Sequence, residues 1–356
     1  MMAFSSLISS SSTHLYSFPK RTPNLQLHQK PHFICYSSLP ISQKTQTQFD
    51  LRTYWTTLID EINHKLDEAI PVQYPNHIYE AMRYSVLAEG AKRAPPVMCV
   101  ASCELFGVQR SAAFPTACAL EMVHAASLIH DDLPCMDDDL SRRGRPSNHA
   151  VFGVDMAILA GDALFPLGFQ HIVSNTPTEL VPPSRILKVI AEFARAVGST
   201  GMAAGKLLDL ANGGNETAVE FVQEKKFGEM SECSAVCGGL LAGAKDDEVE
   251  RLRRYGRAVG VLYQVVDDII EANKVDEEKE KKKMGKSSYV GVFGVSRALE
   301  MAENLRVKAK KELDGFHKYG DRVAPLYSFV DYAIDRSFVI GSETVAVDKA
   351  DYVVTL

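Results

Sequence analysis

From Leu51 onward, apolar residues recur at every third and fourth position, as in Leu120, Val123 and Leu128 and again in Leu252, Tyr255, Val259 and Leu262. That spacing lays them along one stripe of an α-helix. Alternation over five or more residues, the mark of a half-buried strand, is almost absent. Pro95-Pro96, Pro115, Pro134, Pro146, Pro166, Pro177, Pro182-Pro183 and Asn212-Gly213-Gly214 interrupt the pattern and predict turns or helix ends. No internal repeat and no Ser/Gly/Pro linker follows Leu51. The pattern predicts one all-α domain over residues 50–338 and a short tail over 339–356. The run from Lys274 to Lys286 is nearly all charge and reads as a solvated loop.

The first 49 residues differ. They hold no Asp or Glu, are rich in Ser, and carry Lys20, Arg21, Lys30 and Lys44. This composition predicts an organelle transit peptide over residues 1–49, plastid by its Ser excess and scarce Arg. A tail with no address is the plainer alternative. The net charge of −6 argues against a general nucleic-acid binder, which favours a basic surface. No run reads as long and apolar enough to be a transmembrane segment.

Two acidic motifs carry the chemistry. The first, His130-Asp131-Asp132-Leu133-Pro134-Cys135-Met136-Asp137-Asp138-Asp139, follows a predicted helix from Ala117 to His130. His124 and Asp131 lie almost two turns apart on one face, about 10 Å by the helical rise. Pro134 ends or kinks the helix, so the chain can fold Asp137 back toward Asp131. In the second, Gln264, Asp267, Asp268 and Glu271 line a polar stripe of an otherwise apolar helix. Two carboxylates about 4 Å apart repel by roughly 4 kcal/mol at an effective dielectric near 20, so several in one cleft call for cations. Hard oxygen ligands that leave room for phosphate suit Mg²⁺, which can neutralise a diphosphate leaving group. Each motif alone is more commonly an exposed acidic turn or a solvated stripe; two such pairs beside apolar runs are far more specific. Arg142-Arg143 directly after the first motif adds forked donors suited to phosphate oxygens.

Together these residues resemble the trans-isoprenyl diphosphate synthases, the plant geranylgeranyl diphosphate synthases above all. The resemblance covers Leu51 to Phe338 and is densest in Ser127–Asp137, Arg142–His149, Leu159–Ala163 and Tyr263–Asp268. It implies an isoprenoid-synthase helical bundle around a central cavity, with the motifs facing each other. Mg²⁺ there would hold an allylic diphosphate, whose ionised cation is attacked by isopentenyl diphosphate. By position, Asp131, Asp132, Asp137, Asp267 and Glu271 would be metal ligands, with Asp268 supporting them. Arg142, Lys226 and Gln264 would meet the allylic diphosphate, and Lys92, His124 and Arg143 isopentenyl diphosphate. Ser127 and Ala126, the small residues before the first motif, would leave room for a long product.

The departures are as informative. Family members read Gly-Gly-Lys-Arg-x-Arg-Pro where this chain has Glu89-Gly-Ala-Lys-Arg-Ala-Pro-Pro96, so Pro95 stands where a phosphate-binding Arg belongs. Lys226-Phe227 replaces Lys-Thr, Glu271 replaces an Asp, and a charged run replaces the Gly-Lys-Asp segment, leaving Lys286 as its remnant substrate-binding residue. One lost Arg–phosphate contact costs about 1.5–3 kcal/mol, or roughly tenfold to over a hundredfold in binding.

Cys99-Val-Ala-Ser-Cys103 and Cys233-Ser-Ala-Val-Cys237 each place two thiols one turn apart. A disulfide within either pair would be strained; a shared zinc site is conceivable if the helices meet; buried small hydrophobes are the default. Two such motifs resemble those of the type II small subunits of heteromeric geranyl(geranyl) diphosphate synthases, which implies a role for the four cysteines in binding a catalytic large subunit. The expectation is a regulatory partner, weak or inactive alone. A self-sufficient homodimeric synthase and a plastid scaffold are the alternatives.

Overall fold

The computed structural model describes residues 49–211, 216–273 and 288–338. The predicted transit segment apart from Phe49, the Asn212-Gly213-Gly214 break, the charged run with Lys286, and the tail lie outside the described residues. Asp50 opens helix α1 (Leu51–Ala69) by accepting from the Thr53 backbone N–H at 3.2 Å, an N-cap. Leu58, Ile62 and Leu66, four residues apart, are fully buried on one face of α1. Each such side chain contributes about 1.5–3 kcal/mol.

There follow α2 (Asn76–Val86), α3 (Ala94–Leu105), α4 (Phe114–Asp131), α5 (Asn148–Phe152), α6 (Val154–Asn175), α7 (Pro183–Val197), α8 (Met202–Ala211) and α9 (Glu216–Gln223). A π turn at Glu224–Gly228 leads into α10 (Glu229–Ala242), then α11 (Asp246–Asn273), α12 (Tyr289–Phe293), α13 (Val295–Leu313) and α14 (Ala324–Asp335). Among the described residues, sheet is confined to β1 (Ser141–Arg142) and β2 (Arg145–Pro146), a two-residue antiparallel hairpin. The all-α expectation holds.

α4 packs along α6 and α3; α10 packs on α3, α7 and α11. Glycine permits the closest approaches. A Cβ on Gly161 would meet the His130 ring at 2.2 Å, and one on Gly238 would meet the Cys99 carbonyl at 2.3 Å. Pro95, Pro115 and Pro183 lie in first helical turns, where a missing N–H costs nothing. The expected break at Pro166 does not occur: it lies inside α6, where packing along α4 outweighs the lost hydrogen bond.

α6 is the one candidate membrane span among the described residues, and a weak one. It is long and apolar enough to cross a bilayer by length and composition. Its inner side packs on α4, yet only a third of its most apolar stretch is buried. Val151, Val154, Ile158, Leu159 and Val173 are exposed, as is Leu187 on α7.

A buried charge network, spread over residues too far apart in the chain to form a motif, ties three helices together. Glu232, fully buried on α10, accepts from Arg195 on α7 and from Arg253 and Arg257 on α11 at 2.6–2.7 Å. Glu192 joins Arg195 and Arg253, and Glu229 joins Arg195 and Lys225. The three helices are thereby fixed in register around fully paired buried charges.

Candidate active site

α4 ends at Asp131, and Pro134 three residues later cannot continue it. The turn folds back so that the Asp137 backbone N–H donates to the Asp131 carbonyl at 2.9 Å, the predicted return of Asp137 to Asp131. Beside this turn lies a cavity of about 750 Å³. Asp131 from the first motif and Gln264 from the second both line it, with Lys92, His124, Arg143, Lys226 and Ser127. Pro95 and Phe227 are on the same wall. The π turn carries Lys226 and Phe227 to the cavity.

The cationic wall is held in place from behind. Lys92 donates to the Tyr263 hydroxyl at 2.7 Å. Arg93 is buried and paired with buried Glu121, and its Nε donates to Asn63 at 2.9 Å. Lys226 donates to Asp209 at 2.6 Å. Burial lowers the His124 imidazole below its ordinary range, against the raising charge of Glu121. Burial also lowers Arg143, which still remains a cation. Arg93 and Arg143 both adopt left-handed backbone, at φ 51° and 53°, and so does Arg336 at 45°. Such conformations cost energy for non-glycine residues and gather at functional sites.

The aspartates divide. Asp131 and Asp137 converge on one ammonium, that of Lys206 from α8, at 3.0 and 2.7 Å. Burial alone would lower Lys206, but Asp137 and Asp131 outweigh it and hold it above its usual value. Asp132 is buried and turned away: Arg142 Nε donates to both its oxygens at 2.8 and 2.9 Å, and Nη2 adds a further bond. Burial raises the Asp132 carboxyl despite that Arg. Arg142 also reaches Asp139 at 3.5 Å and does not line the large cavity. Asp132 and Arg142, expected at the metal and at the allylic diphosphate, are here engaged with each other.

In the second motif, buried Asp268 accepts from Gln264 at 2.8 Å and from the Tyr289 backbone N–H at 2.7 Å. Burial raises its pKa, and those bonds oppose the rise. It ties the start of α12 to α11. Asp267 is half-exposed and pairs with Arg336 at 2.7 Å; Glu271 is exposed one turn further on. Nothing in the sequence singles out Arg336, because it stands 69 residues from Asp267 and outside every motif.

Among the described residues no group of three or more His, Cys, Asp or Glu side chains is arranged to enclose a metal ion. The donor chemistry at Asp131 and Asp137 nonetheless fits a hard cation, because two carboxylates already converge on one charge.

The four motif cysteines lie elsewhere. Cys99 and Cys103 on α3, and Cys233 and Cys237 on α10, are completely buried in the seam between these helices. Cys233 and Cys237 sulfurs are 3.7 Å apart, a thiol contact and no disulfide. None is at the surface of the chain.

The bundle, the cavity and the paired acidic turns define the class: an all-helical prenyl diphosphate synthase fold. Solved structures with this fold include an FPP/GFPP synthase from Zymomonas mobilis, 32% identical, with a TM-score of 0.70, covering 79% of this chain and 98% of that one. The polyprenyl synthetase family model matches residues 75–317, and the chain belongs to that family. The chloroplastic heterodimeric geranylgeranyl pyrophosphate synthase small subunit of Arabidopsis thaliana is 64% identical over 94% of this chain and 99% of that protein. The large subunit 1 of the same plant is 43% identical over 83% and 82%.

Proposed function

We propose that this chain is the regulatory small subunit of a heteromeric geranylgeranyl or geranyl diphosphate synthase of plastids. It would bind a catalytic large subunit and alter its activity and product ratio. The observation that carries the reading is the 64% identity, over nearly the whole chain, to a protein described as such a small subunit.

The site geometry supports it. The wall meant for isopentenyl diphosphate keeps Lys92, His124 and Arg143 but presents Pro95 where a further cation is expected. On the allylic side, Lys226 and Gln264 reach the cavity, while Arg142 is spent on Asp132. When bound, Mg²⁺ would be held by Asp131 and Asp137, with Asp267 opposite, and would screen the diphosphate charge. This chain's own residues would orient the diphosphates and keep water from the apolar depth of the cavity. Turnover alone is expected to be weak.

The exposed apolar side of α6, with Leu187 on α7, supplies a surface for the large subunit. The buried cysteines would act on that pairing through the seam that sets α3 against α10. The test is to assay the purified chain alone and mixed with a large subunit, using isopentenyl diphosphate and each allylic primer. Robust turnover alone favours a self-sufficient homodimer and overturns the proposal. Absence of any product shift or rate change on mixing also counts against it. In a pull-down, Leu159→Asp should abolish pairing; unchanged pairing would remove α6 from the interface.

A further inference from the structure

Lys206 carries a charge of the wrong sign for a metal-binding wall. Its ammonium lies 3.0 Å from Asp131, which lines the cleft, and 2.7 Å from Asp137, while Arg142 is engaged by Asp132 and Asp139. Its side chain is 15% exposed, against 20% for Asp131 and 37% for Asp137, so the Asp131 contact is the better shielded from water and salt. Left alone, the two carboxylates would repel each other. With Lys206 between them, the trio carries a single negative charge. The neighbouring cation on α10's side of the cavity, Lys226, is separately engaged by Asp209 and does not compete for this place.

We propose that Lys206 is a built-in counter-ion of the first acidic motif. Its ammonium takes the point between Asp131 and Asp137 that a divalent cation would take, and metal enters only by displacing it. The inference rests on reading Asp131 and Asp137 as the metal end of the cleft. A lysine suits this place because its long stem can swing aside without moving α8, while its charge stays tethered nearby. The consequence is a subunit whose acidic turn is ordered without metal and whose apparent metal affinity is set low by an internal competitor. Removing the charge makes the pocket doubly negative and leaves nothing to displace.

The experiment measures Mn²⁺ binding to the full chain by the loss of the free-ion electron paramagnetic resonance signal, with Mg²⁺-induced change in melting temperature alongside. Lys206→Gln should bind Mn²⁺ about tenfold tighter or more, since charge-assisted contacts of this kind are lost as competitors. It should melt lower than the parent in EDTA and gain more on adding Mg²⁺. Lys206→Arg should behave as the parent. Lys206→Met, which keeps the stem's packing, carries the same expectation as Gln should the Gln form fold poorly. Adding Asp131→Asn and Asp137→Asn to Lys206→Gln should abolish the gained site. Equal Mn²⁺ affinity and equal Mg²⁺ response in the parent, Gln and Met forms would overturn the counter-ion role while leaving the metal reading standing. Mn²⁺ binding by none of them would overturn both.

Discussion

The Arg336 guanidinium carbon sits over the Tyr263 ring, 3.6 Å from its centroid, and its Nη2 donates both to the Tyr263 carbonyl at 2.8 Å and to Asp267 at 2.7 Å. The end of α14 is thereby pinned to the second acidic motif on α11. Tyr263 in turn holds Lys92 through its hydroxyl. One ring therefore couples the acidic side of the cleft to its basic wall.

Arg336→Ala should remove a stacked cation and two charge-assisted bonds, a loss of about 1–3 kcal/mol. Urea unfolding of the variant and of Arg336→Lys would check this. Lys cannot reproduce the planar stack, so it should rescue only part of the loss. Full rescue by Lys would show that charge alone matters.

Arg93 and Glu121 form a buried pair whose pH dependence has a definite sign. Burial pushes Glu121 up, but Arg93, with His124 and Arg143, outweighs it and holds the carboxyl below its ordinary value. A carboxyl lowered by folding stabilises the protein above its unfolded pKa, and that contribution is lost as pH falls through the folded value. Arg93→Met reverses the sign, since Glu121 is then buried without its main partner. Its cost should be about 3–5 kcal/mol near neutrality and should shrink as pH falls through the raised Glu121 value of the variant, where the carboxyl takes a proton. A difference between variant and parent that stays constant with pH would refute this account.

Thiol chemistry should separate the cysteines cleanly. Burial raises Cys99 well above the ordinary thiol range and pushes Cys103 up to about 12. Cys233 is raised by its hydrogen bond with Cys237 and by burial; Cys237 is favoured by that bond, yet burial still raises it. Cys118 is likewise pushed up to about 12, mainly by burial. Cys135, on the turn of the first motif, is exposed. Brief iodoacetamide treatment followed by peptide mass mapping should find Cys135 modified in the native chain and these five only after denaturation. Native labelling of Cys233 or Cys99 would mean that the α3–α10 seam opens.

The same seam should be intolerant of bulk. A Cβ on Gly238 would meet the Cys99 carbonyl at 2.3 Å and the Ser102 Cβ at 2.7 Å, both on α3. Neither atom is the end of a flexible chain, so Gly238→Ala should force the helices apart and cost about 1–3 kcal/mol. If the cysteines act on a partner through this seam, Gly238→Ala should weaken pairing with the large subunit more than Cys237→Ser does. The two affinities, measured side by side, decide it.

The sequence by itself determined the helical architecture, because apolar residues at three and four leave a chain few ways to bury them. It also determined which residues reach the cavity from the basic side and from α4. Lys92, His124, Asp131, Arg143, Lys226 and Gln264 all line it. For His124, Asp131 and Gln264 helical periodicity carries the side chain's direction with it, whereas Lys92, Arg143 and Lys226 lie in a loop, the hairpin turn and the π turn. Only the tertiary structure decided the state of the charges. Asp132 faces Arg142 across the turn, Asp267 faces Arg336 from α14, and Asp131 and Asp137 share Lys206 from α8. It also decided that the paired cysteines are internal and that α6 presents the open apolar side. Local spacing says which face of a helix a residue occupies, whereas what that face meets depends on how helices far apart in the chain pack together.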